Sequence, residues 1–246
     1  MKAFLIAFLL LPFSFFGQPP FSDITLDAGI DNIYDVYQGL FGGGVVAFDY
    51  NNDGYEDLFI TGGQGQDVLY KNNGDATFKD ITKESGLFKD RMIVTTGVSS
   101  ADVNKDGFVD LFVTTIASQA DQSKKKKTLA PNLLYINNGD GTFTDFSSKY
   151  GIIKNNFSTS SSFGDINADG YPDLFVGNYF KNFYFEDSPF NTHNIALLNH
   201  YSINEEYETG DDQLFINVEG KYFKEVSDLL MDSGKGYGFG GVFTDF

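Results

Sequence analysis

DYNNDGYED (Asp49–Asp57), DVNKDGFVD (Asp102–Asp110) and DINADGYPD (Asp165–Asp173) are three copies of one nine-residue pattern. Each copy places acid or amide oxygens at relative positions one, three, five and nine, with glycine at six. Glycine permits a sharp backbone turn, and alternate side chains then converge on one point, as the oxygen shell of a hard cation requires. The pattern predicts three Ca2+ sites. Asp49, Asn51, Asp53 and Asp57 are the expected side-chain ligands of the first, joined by the Tyr55 carbonyl. The second set is Asp102, Asn104, Asp106 and Asp110 with the Phe108 carbonyl, and the third Asp165, Asn167, Asp169 and Asp173 with the Tyr171 carbonyl. The last aspartate of each loop is expected to give both oxygens, with water completing the shell. A single such loop is equally well a hairpin turn that binds nothing. Three copies at identical offsets favour the metal.

An EF-hand carries its bidentate glutamate at position twelve and a helix on each side. Here the ninth residue is the last acid, and Leu-Phe-Ile or Leu-Phe-Val follows, which is strand sequence. Val45–Phe48, Val98–Ala101 and Ser161–Gly164 precede the loops as short β-prone or small-residue segments, so each loop is expected to join two antiparallel strands. A second shared block follows: VLYKNNGDATFKDIT from Val68, LLYINNGDGTFTDFS from Leu133 and QLFINVEGKYFKEVS from Gln213. Its Asn-Gly or Glu-Gly centre between alternating apolar residues signals a hairpin. Each unit therefore holds four short strands.

Four-stranded units in tandem with variable connections describe an all-β chain, a β-propeller whose blades run over about 41–87, 94–152 and 158–230. Phe21–Ile30 matches the sequence from Phe78 and from Phe143, and is expected to be an outer strand that precedes the first unit. Residues 238–246 repeat the entry to a loop and stop at Asp245 and Phe246. Since a propeller closes with roughly four to eight blades, the expectation is a fragment of a longer ring, with further domains of the same chain beyond it. Phe59, Phe112 and Phe175 recur at one place in the unit, and Phe78, Phe143 and Phe223 at another. They are expected core residues.

Residues 1–17, with Lys2 ahead of an apolar run, read as a signal peptide too short to span a membrane. The chain would then be secreted or held at the cell surface. It contains no cysteine, which leaves calcium as the available staple. A formal net charge of -17 argues against nucleic acid and anionic membranes as partners. The loop aspartates contribute part of that charge, and three Ca2+ would offset six units of it. Two insertions differ between units. Residues 178–212 carry aromatics and both histidines, and read as a compact loop folded over its own aromatics or as a sugar-stacking platform. Lys124–Lys127 lie in the other, a solvated loop or a spot for an acidic polysaccharide. No nucleophile elbow or zinc-protease helix occurs, so no catalytic residue is assigned.

The D-x-N-x-D-G-x-x-D loop followed by Asp-Leu-Phe, with the LLYINNGDGTFTDFSSKYGI type of second block, resembles the FG-GAP/VCBS repeats. These form calcium-bearing propellers, as in the heads of integrin α chains. The block order is most similar to the secreted bacterial relatives of cartilage acidic protein. The resemblance covers residues 21–246, implies calcium on the twelve loop side chains named above, and implies a seven-bladed ring in the intact protein. In that family a C-terminal ASPIC/UnbV domain often follows. Asn217-Val218-Glu219-Gly220-Lys221 departs from the family's turn, so the resemblance does not fix that hairpin's geometry. The implied function is an extracellular calcium-binding module for adhesion or for a protein or glycan ligand. The alternative is an accessory propeller of a secreted polysaccharide-processing enzyme with catalysis elsewhere.

Overall fold

The computed structural model describes residues 21–35, 42–87, 93–118, 129–180, 209–230 and 240–241. Alternation of apolar residues with Gly/Asn/Asp turns yields three antiparallel sheets and no α-helix among these residues. The first blade is β1 (Val45–Phe48), β2 (Asp57–Ile60), β3 (Val68–Asn72) and β4 (Phe78–Asp80), hydrogen-bonded in chain order. The second is β5 (Ile93–Ala101), β6 (Asp110–Ser118), β8 (Leu133–Asn137) and β9 (Phe143–Asp145). The third is β10 (Asn155–Gly164), β11 (Asp173–Phe180), β12 (Gln213–Val218) and β13 (Tyr222–Glu225). The all-β, blade-by-blade architecture expected of a propeller is thus present. No described helix is long and apolar enough to cross a membrane.

The blades pack face to face. Phe59, Leu69 and Phe48 of the first blade meet Leu111, Val113, Leu133, Tyr135 and Phe143 of the second in one buried cluster. Phe112, Leu134 and Ile136 on the second blade's other face meet Leu174, Val176, Phe215 and Phe223 of the third. A backbone bond repeats at the outer rim: the Phe78, Phe143 and Phe223 N–H groups donate to the carbonyls of Ala28, Ser85 and Tyr150, each in the turn that precedes its blade. Phe78 and Phe175 lie on the two outward-facing sides and are only half-buried, unlike their four counterparts.

Several details depart from the expectations. Within 21–30 the chain forms a turn at Thr25–Gly29 and no strand, because among the described residues no partner strand lies beside it. Phe21 is 105% exposed there, yet Ala28 still caps Phe78 as its repeat counterparts do. The inner strands β5 and β10 begin well before the expected segments and carry register shifts. A two-residue strand, β7 (Ala130–Pro131), leaves the second blade to pair with Asn155 and Asn156 of β10. The third hairpin keeps its register, since Asn217 pairs Phe223 as Asn72 pairs Phe78 and Asn137 pairs Phe143. Its tight turn is made by Glu219 (φ 53°) and Gly220 (φ 68°) instead of the Asn-Gly-Asp centre. The expected leader at 1–17, most of the insertion at 178–212, Lys124–Lys127 and most of the 238–246 segment lie outside the described residues.

Blades converge toward the axis, which leaves no room there for side chains. A Cβ on Gly97 would sit 2.8 Å from the Thr159 carbonyl oxygen of the next blade, and one on Gly44 2.8 Å from the Val98 nitrogen. Each of these glycines donates its N–H to a threonine hydroxyl on the adjacent strand: Gly44 to Thr61 at 2.7 Å, Gly97 to Thr114 at 2.8 Å. The third blade exchanges the pair, with Ser160 in place of the glycine and Gly177 in place of the threonine, and the Ser160 hydroxyl fills the space that Gly177 leaves. Gly97→Ala is expected to lower unfolding stability by about 2 kcal/mol or more through overpacking against backbone. Gly42→Ala, at a position with nothing within 4 Å, should change it by less than about 0.5 kcal/mol. Urea unfolding of the two variants measures the difference.

Candidate metal centres

All three loops have the same conformation. The carboxylate at position one accepts the N–H groups of positions five and six, at 3.0 and 2.7 Å for Asp49, 3.1 and 2.8 Å for Asp102, and 3.1 and 2.7 Å for Asp165. The position-three amide oxygen of Asn51, Asn104 or Asn167 shares the position-five N–H, so two ligand-type oxygens point at one spot. Its amide N–H donates to the position-five carboxylate of Asp53, Asp106 or Asp169. That carboxylate in turn accepts the N–H of Tyr55, Phe108 or Tyr171. Glycine at position six has φ of 87°, 91° and 85°, which explains its identity in every copy. Position four is also left-handed, at Asn52 (57°), Lys105 (60°) and Ala168 (58°). For lysine and alanine that conformation costs about 1–2 kcal/mol each, so the surrounding bonds over-determine the loop.

Position nine differs from the rest. Asp57, Asp110 and Asp173 are fully buried. One oxygen of each accepts the position-two N–H, from Tyr50 (3.1 Å), Val103 (2.9 Å) or Ile166 (2.9 Å). The other accepts an N–H from the third strand, from Asn72 (2.7 Å), Asn137 (2.8 Å) or Asn217 (2.8 Å). Among the described residues no basic side chain is in ion-pair contact with any of the three. Burial pushes all three carboxyls up, Asp110 to about 7, with the like charges at positions five and one adding to it and the two backbone N–H bonds opposing it.

Two further features complete the site: third-strand asparagines, which the sequence reading did not assign to it, and the rings at position seven, which it assigned only through their carbonyls. Two of the three asparagines at or near the ends of the third strands donate their side-chain N–H across the blade boundary. Asn137 reaches the Tyr50 carbonyl at 2.7 Å and Asn217 the Val103 carbonyl at 2.8 Å, while each also reaches the residue before its own position-nine aspartate. Asn72 makes only the second kind of bond, to Glu56 at 2.9 Å. The signal was present as an invariant Asn in the three second blocks. The aromatic at position seven, expected to serve through its carbonyl, also packs its ring on the hairpin glycine of its own blade. A Cβ on Gly74 or Gly139 would lie 2.7 Å from Tyr55 or Phe108, and one on Gly220 3.2 Å from Tyr171.

The donor set fits a hard divalent cation. Carboxylate and amide oxygens are gathered on one loop, the turn is rigid, and a buried carboxylate that itself has no basic partner among the described residues faces two further acids in the loop. Among the described residues, no three acidic, histidine or cysteine side chains converge as a ready cage. In the loops the carboxylates are held by backbone N–H groups instead, and amide and carbonyl oxygens would make up the shell.

Asn137→Ala is expected to cost about 2–3 kcal/mol, because it strands buried carbonyls on two blades. Asn72→Ala, which lacks the cross-blade bond, should cost clearly less in the same urea titration. The raised carboxyls also have a signed consequence for the chain held in chelator. The folded state keeps protons on these groups that the unfolded state has released above pH 4, so stability falls as pH rises from about 4 through about 7. Melting temperature measured across that range in chelator reads the slope, and Asp110→Asn should flatten it.

A family model described as FG-GAP-like repeat matches residues 49–113 and 116–176, which contain all three loops. Over 90 residues the chain is 33% identical to cartilage acidic protein 1 of Xenopus tropicalis, an alignment that covers 37% of this chain and 13% of that protein. The chain thus corresponds to a small part of that relative's length. With over half of its residues inside the family match and the loop geometry repeated in each blade, the chain belongs to the FG-GAP-like repeat family.

Proposed function

We propose that this chain is a secreted or cell-surface β-propeller module whose three loops bind calcium and whose opposite face binds a protein or glycan ligand in adhesion. The observation that carries the reading is the buried aspartate at position nine, present in all three blades with no basic side chain in contact with it among the described residues, beside the acids of positions one and five. FG-GAP repeats are typically binding modules, which supports a binding role. The signal-peptide reading of residues 1–17 and the similarity to a protein named for cartilage support the location.

The topology separates the two faces. Each calcium loop joins the first two strands of a blade, and the hairpin between the third and fourth strands lies at the same end. The connections from second to third strand and from blade to blade therefore emerge at the other end. Ser118 and Leu129 flank one insertion, Phe180 and Thr209 the other, and both insertions leave the blades on that side. A rigid scaffold that presents variable loops on one face is the usual arrangement of a recognition surface. Calcium on the far side would stiffen the scaffold without occupying the ligand face.

Extracellular modules hold calcium at roughly 0.1–1 mM. Tenfold saturation of three independent sites would then add about 4 kcal/mol of stability. Calorimetric titration of CaCl2, with melting temperature followed in parallel, is expected to show saturable binding and a rise in melting temperature. The position-five variant Asp53→Ala/Asp106→Ala/Asp169→Ala should lose both effects. It is a cleaner test than replacing position nine, whose aspartates hold backbone on two sides. Absence of binding at millimolar calcium, with identical melting of parent and variant, would reject the calcium sites.

A further inference from the structure

We propose that Lys71 is a built-in rival of the divalent cation in the first loop, so that this loop binds calcium more weakly than the second loop does. The inference rests on the calcium reading above. The Lys71 ammonium lies 2.9 Å from Asp53 Oδ2, and both side chains are about one-third exposed. Asp53 is the position-five acid of its loop, so the ion pair occupies an oxygen of the expected ligand set. At the matching place on the third strand the other blades carry Ile136 and Ile216. Among the described residues neither Asp106 nor Asp169 has a basic partner. Lys105 points toward the third loop, but its ammonium sits 4.1 Å from the centre of the Tyr171 ring and pairs with no carboxylate there.

Loop two therefore presents its position-five carboxylate with no ammonium bonded to it, whereas loop one presents it already matched by one. Loop three is intermediate, since a Cβ on Gly170 would lie 2.6 Å from the Lys105 ammonium, which bonds no carboxylate there. A calcium ion entering loop one must take Asp53 from Lys71 and then sit close to a positive charge. Glu56 is the extra acid of loop one, where the other loops have Val109 and Pro172. It is exposed, and water screens it strongly, so it offsets little of the effect. The backbone of the three loops is otherwise the same, with matching φ values at positions four and six. The difference in affinity is thus assigned to one side chain.

The test isolates each loop by silencing the other two in the full 246-residue chain. Asp106→Ala/Asp169→Ala leaves loop one, and Asp53→Ala/Asp169→Ala leaves loop two. Calorimetric titration with CaCl2 is expected to give a dissociation constant about two- to fivefold higher for loop one, the range a partly exposed ion pair supports. Adding Lys71→Ile to the loop-one chain should bring its affinity to that of loop two. Lys71→Gln should move it in the same direction if the isoleucine variant does not fold, and Lys71→Arg should leave it weak. Equal affinities of the two loops, unmoved by Lys71→Ile or Lys71→Gln, would overturn the role of Lys71 and leave the calcium reading intact. No binding at either loop would overturn both.

Discussion

The buried carboxylate that closes each loop is the contact on which the blade depends. Asp57, Asp110 and Asp173 each hold the start of their own loop with one oxygen and the third strand with the other. A loop that would otherwise be a solvent-exposed turn is thereby locked to the sheet on both sides. Burial of an acid without a basic partner is unfavourable by itself. The two backbone donors offset part of that cost, and a divalent cation in the loop would offset the rest. Structural order and the proposed metal chemistry thus depend on the same atoms.

From that carboxylate the order passes to the neighbouring blade. The backbone N–H of Asn137 is bound to Asp110, and its side chain reaches the Tyr50 carbonyl in the first loop. Asn217 does the same between Asp173 and Val103. The loops are also in direct touch, since Asn52 donates to the Gly107 carbonyl at 3.0 Å. Near the axis the constraint is steric instead, and glycine paired with a hydroxyl residue is the solution. The exchange of Gly97 and Thr114 for Ser160 and Gly177 shows that the hydroxyl is kept while the strand that carries it is free to change. The blades are therefore joined by polar bonds at the loop end, by small residues at the axis and by aromatic and aliphatic packing between them.

Much of this was legible because the repeat is short and its residues are unusual. The loop offsets, the strand that follows each ninth residue, and the core positions Phe59, Phe112, Phe143 and Phe223 all follow from period and composition. The expected strand at 21–30 failed because a strand exists only where another strand offers its hydrogen bonds, a property of the neighbour and not of Phe21–Ile30. The early start of β5 and β10 was hidden in Ser/Thr-rich sequence with weak alternation. The third hairpin kept its register despite its altered turn because Asn217 and Phe223 are anchored by Asp173 and Tyr150, which lie far away in the chain.

Local chemistry was enough to specify that an oxygen-rich loop, two β-hairpins and a glycine turn recur three times, since those features are set by residues within nine positions of each other. It was not enough to assign roles inside the loop. Position nine reads as one more ligand in the sequence, yet burial makes it the anchor of the blade. Nothing in the sequence beside Lys71 points to Asp53, yet the hairpin fold brings its ammonium there from eighteen positions away. Which acids stay open to a cation, and which are already satisfied, depends on what other strands and blades bring within hydrogen-bonding distance. Only the packed arrangement sets those distances.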